Sequence, residues 1–337
     1  IGSITLTYNR FTQRDVARAA GVSDMTVSRV MRGRGTVSER TKANVLSVVE
    51  DMGYVQNRLA GSLATSRSNQ VAVVIPSLVN QVFSQVMSGI SSELDKAGYN
   101  AVVGISDYGL EKEESLVVSM MSWRPAGMIV TDMTHTQKTR NILKSANIPV
   151  IEIMDTAGEP IDICVGMDHA KAGRMLADHL IAKGYRRFGY LGWSDNDFPA
   201  SRRFDAIRER LAEQGLPLVA PKVYDSPPDT PVGKSGLRDL LASHRELDVV
   251  IFSNDPAAVG GLVYCIEHGI DVPRELAIAG FSGLMAGQIM PKRLTTIRTR
   301  RYDVGRIAAR CVLNRLVGQA VDPVIDLGFE LIAGETA

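Results

Sequence analysis

Between residues 13 and 52, apolar side chains recur at helical spacing in three short stretches. Val16, Ala17 and Ala20 share one face of a helix expected over 13–20, and Gly21 stops it. Ser23 is placed to cap a second helix over 24–31, which Gly33 and Gly35 end. Ser38 caps a third, to about Met52, with Thr41, Val45, Val48 and Val49 spaced helically and Gly53 as its stop. Residues 54–70 are weakly apolar and close on Thr65-Ser66-Arg67-Ser68-Asn69. They read as a linker with room for about two helical turns, too short to stand as a helix by itself.

From Val71 the pattern changes to short apolar runs alternating with amphipathic ones. Strands are expected at 71–76, 100–105, 127–131, 150–154, 187–191, 249–253, 277–281 and 295–298. Helices are expected between them, including 84–97, 113–123, 170–183, 201–214 and 256–268. Such alternation implies parallel sheets covered by helices on both faces. The stretch is too long for one such sheet, which predicts two α/β subdomains with a cleft between them. No internal repeat is visible.

Composition narrows the class. Of 337 residues, 45% are apolar and 22% charged, the balance of a folded chain with more than one core. No apolar run approaches the roughly 18 residues of a membrane span, so no membrane partner is expected. Residues 1–8 lack the basic flank and apolar stretch of a secretory signal. Cys164, Cys265 and Cys311 are few, odd in number and far apart, which favours buried thiols in a reducing cytoplasm over disulfides or zinc. The net charge of +1 hides an asymmetry. Residues 1–70 hold ten basic and five acidic side chains, and the rest hold 28 and 32. A basic first fifth on a mildly acidic body points to a small part that meets a polyanion.

The stretch from Thr12 to Val30 has helix–turn–helix anatomy: Ala where two helices approach, Gly21 at the turn, and Val22, Val27 and Val30 behind the second helix. The second helix then presents Asp24, Met25, Thr26, Ser28 and Arg29 at its N-terminal end, the end that enters the major groove in such proteins. Arg29 can donate two bonds to a guanine edge, and Thr or Ser can hold phosphates. Enzyme signatures are missing: there is no His-Glu-x-x-His, Gly-x-Ser-x-Gly or phosphate loop, and Gly233-Lys234-Ser235 lacks the required earlier glycine. Asp168-His169 and Asp178-His179 read as helix-surface and cap residues. No catalytic residue, metal or cofactor is expected.

With these residues in view, the chain resembles the LacI-type family of bacterial transcription regulators along nearly its whole length. The motifs are Asp15-Val16-Ala17, Ala20-Gly21-Val22-Ser23, Thr26-Val27-Ser28-Arg29-Val30, Gly53-Tyr54 with Asn57-Arg58, Ser253-Asn254-Asp255 and Ala279-Gly280-Phe281. Leu294-Thr295-Thr296-Ile297 leading toward Gly305 completes them. The resemblance implies an all-α helix–turn–helix headpiece and an α/β periplasmic-binding-protein-like core of two doubly wound subdomains. It implies a DNA-binding domain at 11–53, a hinge helix and linker at 54–70, and an effector-binding and dimerisation core at 71–337. Within that core, the N-subdomain would span about 71–167 and 297–321, and the C-subdomain about 168–296 and 322–337. The implied partners are double-stranded operator DNA of near-palindromic sequence, a small-molecule effector, and a second copy of the chain, as a homodimer or tetramer. Asn57 and Arg58 match hinge residues near the DNA backbone, and Leu63 holds the position of a minor-groove wedge. Gly61 weakens that helix by roughly 1 kcal/mol relative to alanine.

Segments 76–83, 121–123, 134–136 and 148–155 resemble gluconate-utilisation repressors within the family, which implies gluconate or a similar aldonic acid as effector. Another sugar or sugar acid, or a sugar-binding protein that regulates no DNA, are the alternatives. An effector-binding Arg near the start of a helix maps to Arg203, a fork suited to a carboxylate. Asp255 matches a hydroxyl-accepting Asp at a strand end, or caps the helix that follows. Asn80, Gln81 and Phe83 follow the first strand at the same kind of edge, and Tyr108, Thr131 and Asp155 align with cleft positions. His135, between two threonines on a strand-end loop, is a further candidate partner for the effector. Arg300 stands where proline is common and suits either an acidic effector or a subdomain crossover.

Overall fold

The computed structural model describes residues 11–33, 35–55, 68–192, 197–216, 218–224 and 229–337. The chain divides into two units, residues 1–68 and 69–337.

In the first unit, local hydrogen bonding sets three helices. Thr12 caps α1 (Gln13–Ala20) in a reciprocal box with Asp15. The Thr12 N–H donates to Asp15 Oδ2 at 2.9 Å. Ser23 caps α2 (Asp24–Arg32) and Ser38 caps α3 (Glu39–Asp51), each accepting a backbone N–H three residues on. Gly21, at φ 67°, makes the left-handed turn that ends α1. The helices bury Val16, Ala17, Ala20, Val27, Val45 and Tyr54 together. Asn44 Nδ2 donates to the Ala20 carbonyl at 2.8 Å and ties α3 to the turn.

In the second unit, β1 (Gln70–Ile75), β2 (Asn100–Ile105), β3 (Gly127–Thr131), β4 (Val150–Asp155) and β5 (Ile163–Met167) join β11 (Val324–Asp326) in one parallel sheet. Its order is β11-β5-β4-β3-β1-β2. Both faces are covered. Val71, Val73 and Ile75 meet α4 (Gln81–Leu94) and α12 (Arg301–Leu316) through Val86, Ile90, Val304 and Val312. Ala72 and Val74 face α5 (Leu110–Met121) and α6 (Gln137–Ser145) through Val117 and Leu143. The period of two along β1 therefore sorts its side chains into two cores.

A second parallel sheet, in the order β7-β6-β8-β9, holds β6 (Phe188–Gly192), β7 (Leu218–Val223), β8 (Val249–Phe252) and β9 (Ala277–Ala279). One face packs on α7 (His169–Ala182) and α8 (Phe198–Glu213), the other on α9 (Thr230–Ser243) and α10 (Asp255–His268). The short α11 (Met285–Gln288) follows β9. An antiparallel ribbon of β10 (Thr296–Thr299) and β12 (Phe329–Ile332) carries the chain between the two halves. Arg301, 5% exposed, braces this crossover: Nε donates to Gln85 Oε1 at 3.0 Å, and the Nη atoms reach Ser282, Thr299 and Gly283.

One expected boundary is corrected. Residues 322–337 do not all join the second half, because Val324–Asp326 extends the first sheet. The reason is the fully buried strand β5, whose outer edge needs partners. The Cys164 N–H bonds to the Pro323 carbonyl at 2.8 Å, and the Leu327 N–H to the Gly166 carbonyl at 2.9 Å. The chain returns from Phe329, with Phe329 and Leu331 packed on the core of the second half and Thr336 and Ala337 buried against it.

Three helix pairs cross on glycine. A Cβ at Gly305 would overlap the Val86 carbonyl and one at Gly89 the Tyr302 carbonyl, so α4 and α12 touch backbone to backbone. Gly233 and Gly260 do the same for α9 and α10. Gly173 of α7 lies against Arg203 of α8. The three cysteines are buried and unpaired, and burial raises each thiol, Cys164 and Cys311 to about 11 and Cys265 to about 12. Among the described residues no helix is long and apolar enough to cross a membrane.

Candidate functional site

In the first unit the second helix offers a polar face beside a buried one. Val27 is fully buried, and Val22 and Val30 are half-buried against the other two helices. Asp24, Met25 and Arg29 are exposed, and Thr26 and Ser28 are half-buried. Gln13 Nε2 donates to the Asp24 carbonyl at 2.8 Å, which fixes α1 against the start of α2. The exposed side of α2 therefore carries the Arg29 guanidinium and the Thr26 and Ser28 hydroxyls beside the positive pole at its start, a set that suits phosphates and base edges. Asn57, Arg58 and Leu63, the expected hinge contacts, lie outside the described residues.

In the second unit a cavity of about 540 Å³ lies between the two sheets. The strands' C-terminal ends and the N-termini of the helices that follow them form its wall, the usual ligand edge of parallel sheets. Asn80, Gln81, Phe83, Tyr108 and Thr131 line it from the first sheet's side. Arg203 lines it from the second. Asn80 does two jobs: Oδ1 caps α4 by accepting the Val82 N–H at 3.1 Å, and Nδ2 donates to the Tyr108 hydroxyl at 3.0 Å. Burial raises the Tyr108 phenol, which therefore stays protonated. Thr131 Oγ1 donates to the Val74 carbonyl at 3.1 Å.

Arg203 is half-buried, with its guanidinium carbon 4.2 Å from the Phe281 ring centre. Nη1 lies 3.1 Å from His169 Nδ1, and Nη2 donates to the Ser253 carbonyl at 3.5 Å. Guanidinium can only donate, so Nδ1 of His169 accepts and Nε2 carries the proton it gives to the Met154 carbonyl at 2.9 Å. Burial, aided by the Arg203 charge, pulls the His169 pKa down to about 3, and the ring is neutral. Among the described residues Arg203 has no carboxylate at ion-pair distance. Burial lowers its own pKa and Asp197 opposes that shift.

Three predicted residues take other partners. Asp255 is fully buried and absent from the lining. Its oxygens accept the Leu284 N–H and the Thr296 hydroxyl, each at 2.6 Å, and burial raises it to about 6 against those bonds. The cap of α10 is Asn254, whose Oδ1 accepts the Ala257 N–H at 2.9 Å. Asp155 is also fully buried: Oδ1 accepts the N–H groups of Thr156 and Ala157, and Oδ2 pairs with Arg202 of α8. His135 lies behind the wall with a fully buried side chain, between Glu113 and Glu152. Arg300 is exposed and outside the lining, and the neighbouring Arg301 holds the crossover.

Several lining residues stand outside the sequence-based expectation. His169, expected on a helix surface, is 2% exposed and lines the cavity. Its neighbour Asp168 is the cap of α7. Asp197 and Asp229 each cap a helix facing the cavity, accepting the N–H groups of Ala200 and Val232 at 2.9 Å. A usable signal was present: Asp197-Phe198-Pro199, Asp229-Thr230-Pro231 and Asn254-Asp255-Pro256 repeat a cap two residues before proline. Burial raises Asp197, opposed by Arg203.

Residues 12–57 match the family described as bacterial regulatory proteins, lacI family. Residues 68–324 match periplasmic binding proteins and sugar binding domain of LacI family. The chain is 35% identical over 322 residues to the HTH-type transcriptional regulator GntR of Escherichia coli K12, covering 95% of this chain and 97% of that protein. It is 32% identical over 332 residues to the HTH-type transcriptional regulator IdnR of the same strain, covering 97% and 99%. The crystal structure of a LacI family transcriptional regulator from Silicibacter pomeroyi superposes with a TM-score of 0.93 at 40% identity, covering 97% of this chain and 99% of that one.

Proposed function

Because the chain belongs to the LacI family of bacterial regulatory proteins and is a DNA-binding transcriptional regulator, we propose that it is a repressor released from a near-palindromic operator by gluconate or a related aldonic acid. The observation that carries the effector reading is Arg203, a guanidinium on the cavity wall without a carboxylate partner among the described residues. An aldonic acid supplies that anion, and its chain of hydroxyls suits a lining rich in acceptors and hydroxyl groups. Asn80, Gln81, Phe83, Tyr108 and Thr131 are the proposed contacts on the facing wall. The resemblance of the strand-end segments to gluconate-utilisation repressors points the same way.

In this reading residues 11–53 bind operator DNA, 54–70 form the hinge, and the core binds effector and pairs with a second copy in the cytoplasm. Asp24, Met25, Thr26, Ser28 and Arg29 meet the major groove, Asn57 and Arg58 the backbone, and Leu63 the minor groove. The effector closes the cavity and shifts the dimer away from its DNA-binding state. A roughly hundredfold preference for the closed state supplies about 2.7 kcal/mol of coupling.

The test is a calorimetric titration with gluconate, idonate and glucose, run beside an operator footprint with and without the ligand. Gluconate heat that Arg203→Ala removes, with loss of the footprint on ligand addition, is the expected result. Heat from another ligand alone would replace the effector, and a footprint strengthened by gluconate would make it a corepressor.

A further inference from the structure

Behind the first-sheet wall of the cavity lies a row of three ionisable side chains that the effector reading leaves unused. His135 Nδ1 is 2.6 Å from Glu113 Oε1, and its Nε2 is 3.4 Å from Glu152 Oε1. A carboxylate oxygen accepts, so Nδ1 carries a proton, and the two flanking carboxylates outweigh burial and raise the ring to about 9, which makes it an imidazolium at neutral pH. His135 and Glu152 side chains are 0% exposed and that of Glu113 is 7%. Glu152 is also engaged through Oε2, which accepts the Ile161 N–H at 2.5 Å.

Glu113 is held on one side only. His135 fixes Oε1, whereas Oε2 makes no hydrogen bond among the described residues, and Glu113 lines the cavity. A buried carboxylate with one oxygen anchored and the other turned to an open cavity is an acceptor prepared for a donor. Hydroxyl groups are such donors, and carboxylates and phosphates are not. Two carboxylates and one imidazolium leave the row with one negative charge. Among the described lining residues Arg203, on the opposite wall, is the sole cation, and Asp132, Asp197 and Asp229 are further carboxylates, each accepting a backbone N–H.

We propose that Glu113, positioned by His135, binds hydroxyls of the effector and restricts the cavity to polyhydroxy acids bearing a single anionic group. This rests on the reading of the cavity as a sugar-acid site. Arg203 takes the one anion, and a second one is brought against the Glu113 charge with no counter-ion to meet it. Glu113 touches the ligand, and His135 acts through it as a positioning residue.

The experiment is calorimetry on the full chain with gluconate, glucarate, which has a carboxylate at both ends, and glucitol, which has none. The wild type binds gluconate at least tenfold more tightly than glucarate. Glu113→Gln weakens gluconate at least tenfold and narrows the gap between the two acids, since one repelling charge is gone while Asp132, Asp197 and Asp229 remain. His135→Gln weakens gluconate by less, because it only loosens Glu113, and it widens the gap between the two acids, because the row loses its one positive charge; such a change in acid preference is one that a purely structural role would not produce. Glu113→Asp keeps the charge but withdraws the oxygen, so it weakens gluconate and keeps the discrimination; it also covers a Glu113→Gln chain that fails to fold. Glu113→Gln binding both acids within twofold of wild type would overturn the proposal, as would a wild type that binds glucarate as well as gluconate. If Arg203→Ala loses gluconate while Glu113→Gln does not, this inference fails and the effector reading stands. A wild type that binds none of the three compounds refutes both.

Discussion

Gly173 couples the packing of the second half to the geometry of its cavity. In place of its hydrogen, a Cβ would lie 2.7 Å from the Arg203 carbonyl oxygen and 3.2 Å from its Cα, both backbone atoms. Ordinary contact begins near 3.4 Å, so Gly173→Ala forces α8 back by about 0.7 Å at Arg203 in an interior with little slack. The same retreat stretches the 3.1 Å contact between Arg203 Nη1 and His169 Nδ1 beyond hydrogen-bond range. Overpacking costs about 1–3 kcal/mol. Alanine in a helix interior returns about 1 kcal/mol over glycine, so the net loss reaches about 2 kcal/mol. For a unit of this size that is a fall of about 4–8 °C in Tm. Displacing the guanidinium should weaken an anionic ligand about tenfold, or ~1.4 kcal/mol. Thermal melting by circular dichroism and calorimetry with gluconate read the two effects. A Tm that rises, as helix propensity alone requires, with affinity unchanged, would refute the close-contact argument.

Burial alone would push the His135 imidazole down, but the hydrogen bonds and charges of Glu113 and Glu152 outweigh it and raise it to about 9. Its folded value lies above the unfolded value of about 6.5, so this stabilisation is complete below pH 6.5 and is lost as pH rises through 9. Urea unfolding between pH 6.5 and 9.5 should show a decline that His135→Gln flattens; parallel profiles would deny the charged ring. Arg202→Met strips the fully buried Asp155 of its cation and should cost on the order of 3 kcal/mol, seen as a lower urea midpoint. An unchanged midpoint would mean that the pair contributes nothing. Ser23→Ala removes the cap of α2 and should cost about 1 kcal/mol, read as a several-fold weaker operator complex by fluorescence polarisation.

How much could be read from sequence varied with how local the cause was. The three helices of the first unit are set by caps a few residues away, Thr12 with Asp15, then Ser23 and Ser38, and their limits were legible. Strand β11 was not: Val324 and Asp326 are exposed, and the segment is a strand because β5 needs an edge partner from far along the chain. In the cavity, Asn80 and Gln81 follow the first strand at its ligand edge, where their place in the chain puts them, whereas Arg203, in the second turn of α8, is indicated by the family resemblance. Asp155 and Asp255 sit at equivalent strand ends but turn to nearby donors, Thr156 and Ala157 for one and Leu284 for the other. Those donors belong to loops whose paths no periodicity encodes. His169 was hidden for a similar reason, since its burial comes from the Met154 carbonyl and from Arg203, both distant in sequence.

The glycine crossing of α4 and α12 also orders events in time. The two helices begin about 220 residues apart, a gap of roughly 10–40 s at the usual rate of synthesis. Throughout that interval Val86 and Ile90 lack the helix that covers them, and β5 lacks its outer neighbour β11. Strands β6 to β9, by contrast, leave the ribosome within one uninterrupted stretch of chain. The half of the core that is made first thus waits longest for its covering helix and its outer strand, and a nascent chain halted before Arg301 carries an open apolar face and an unpaired sheet edge, the surfaces that chaperones and aggregates compete for.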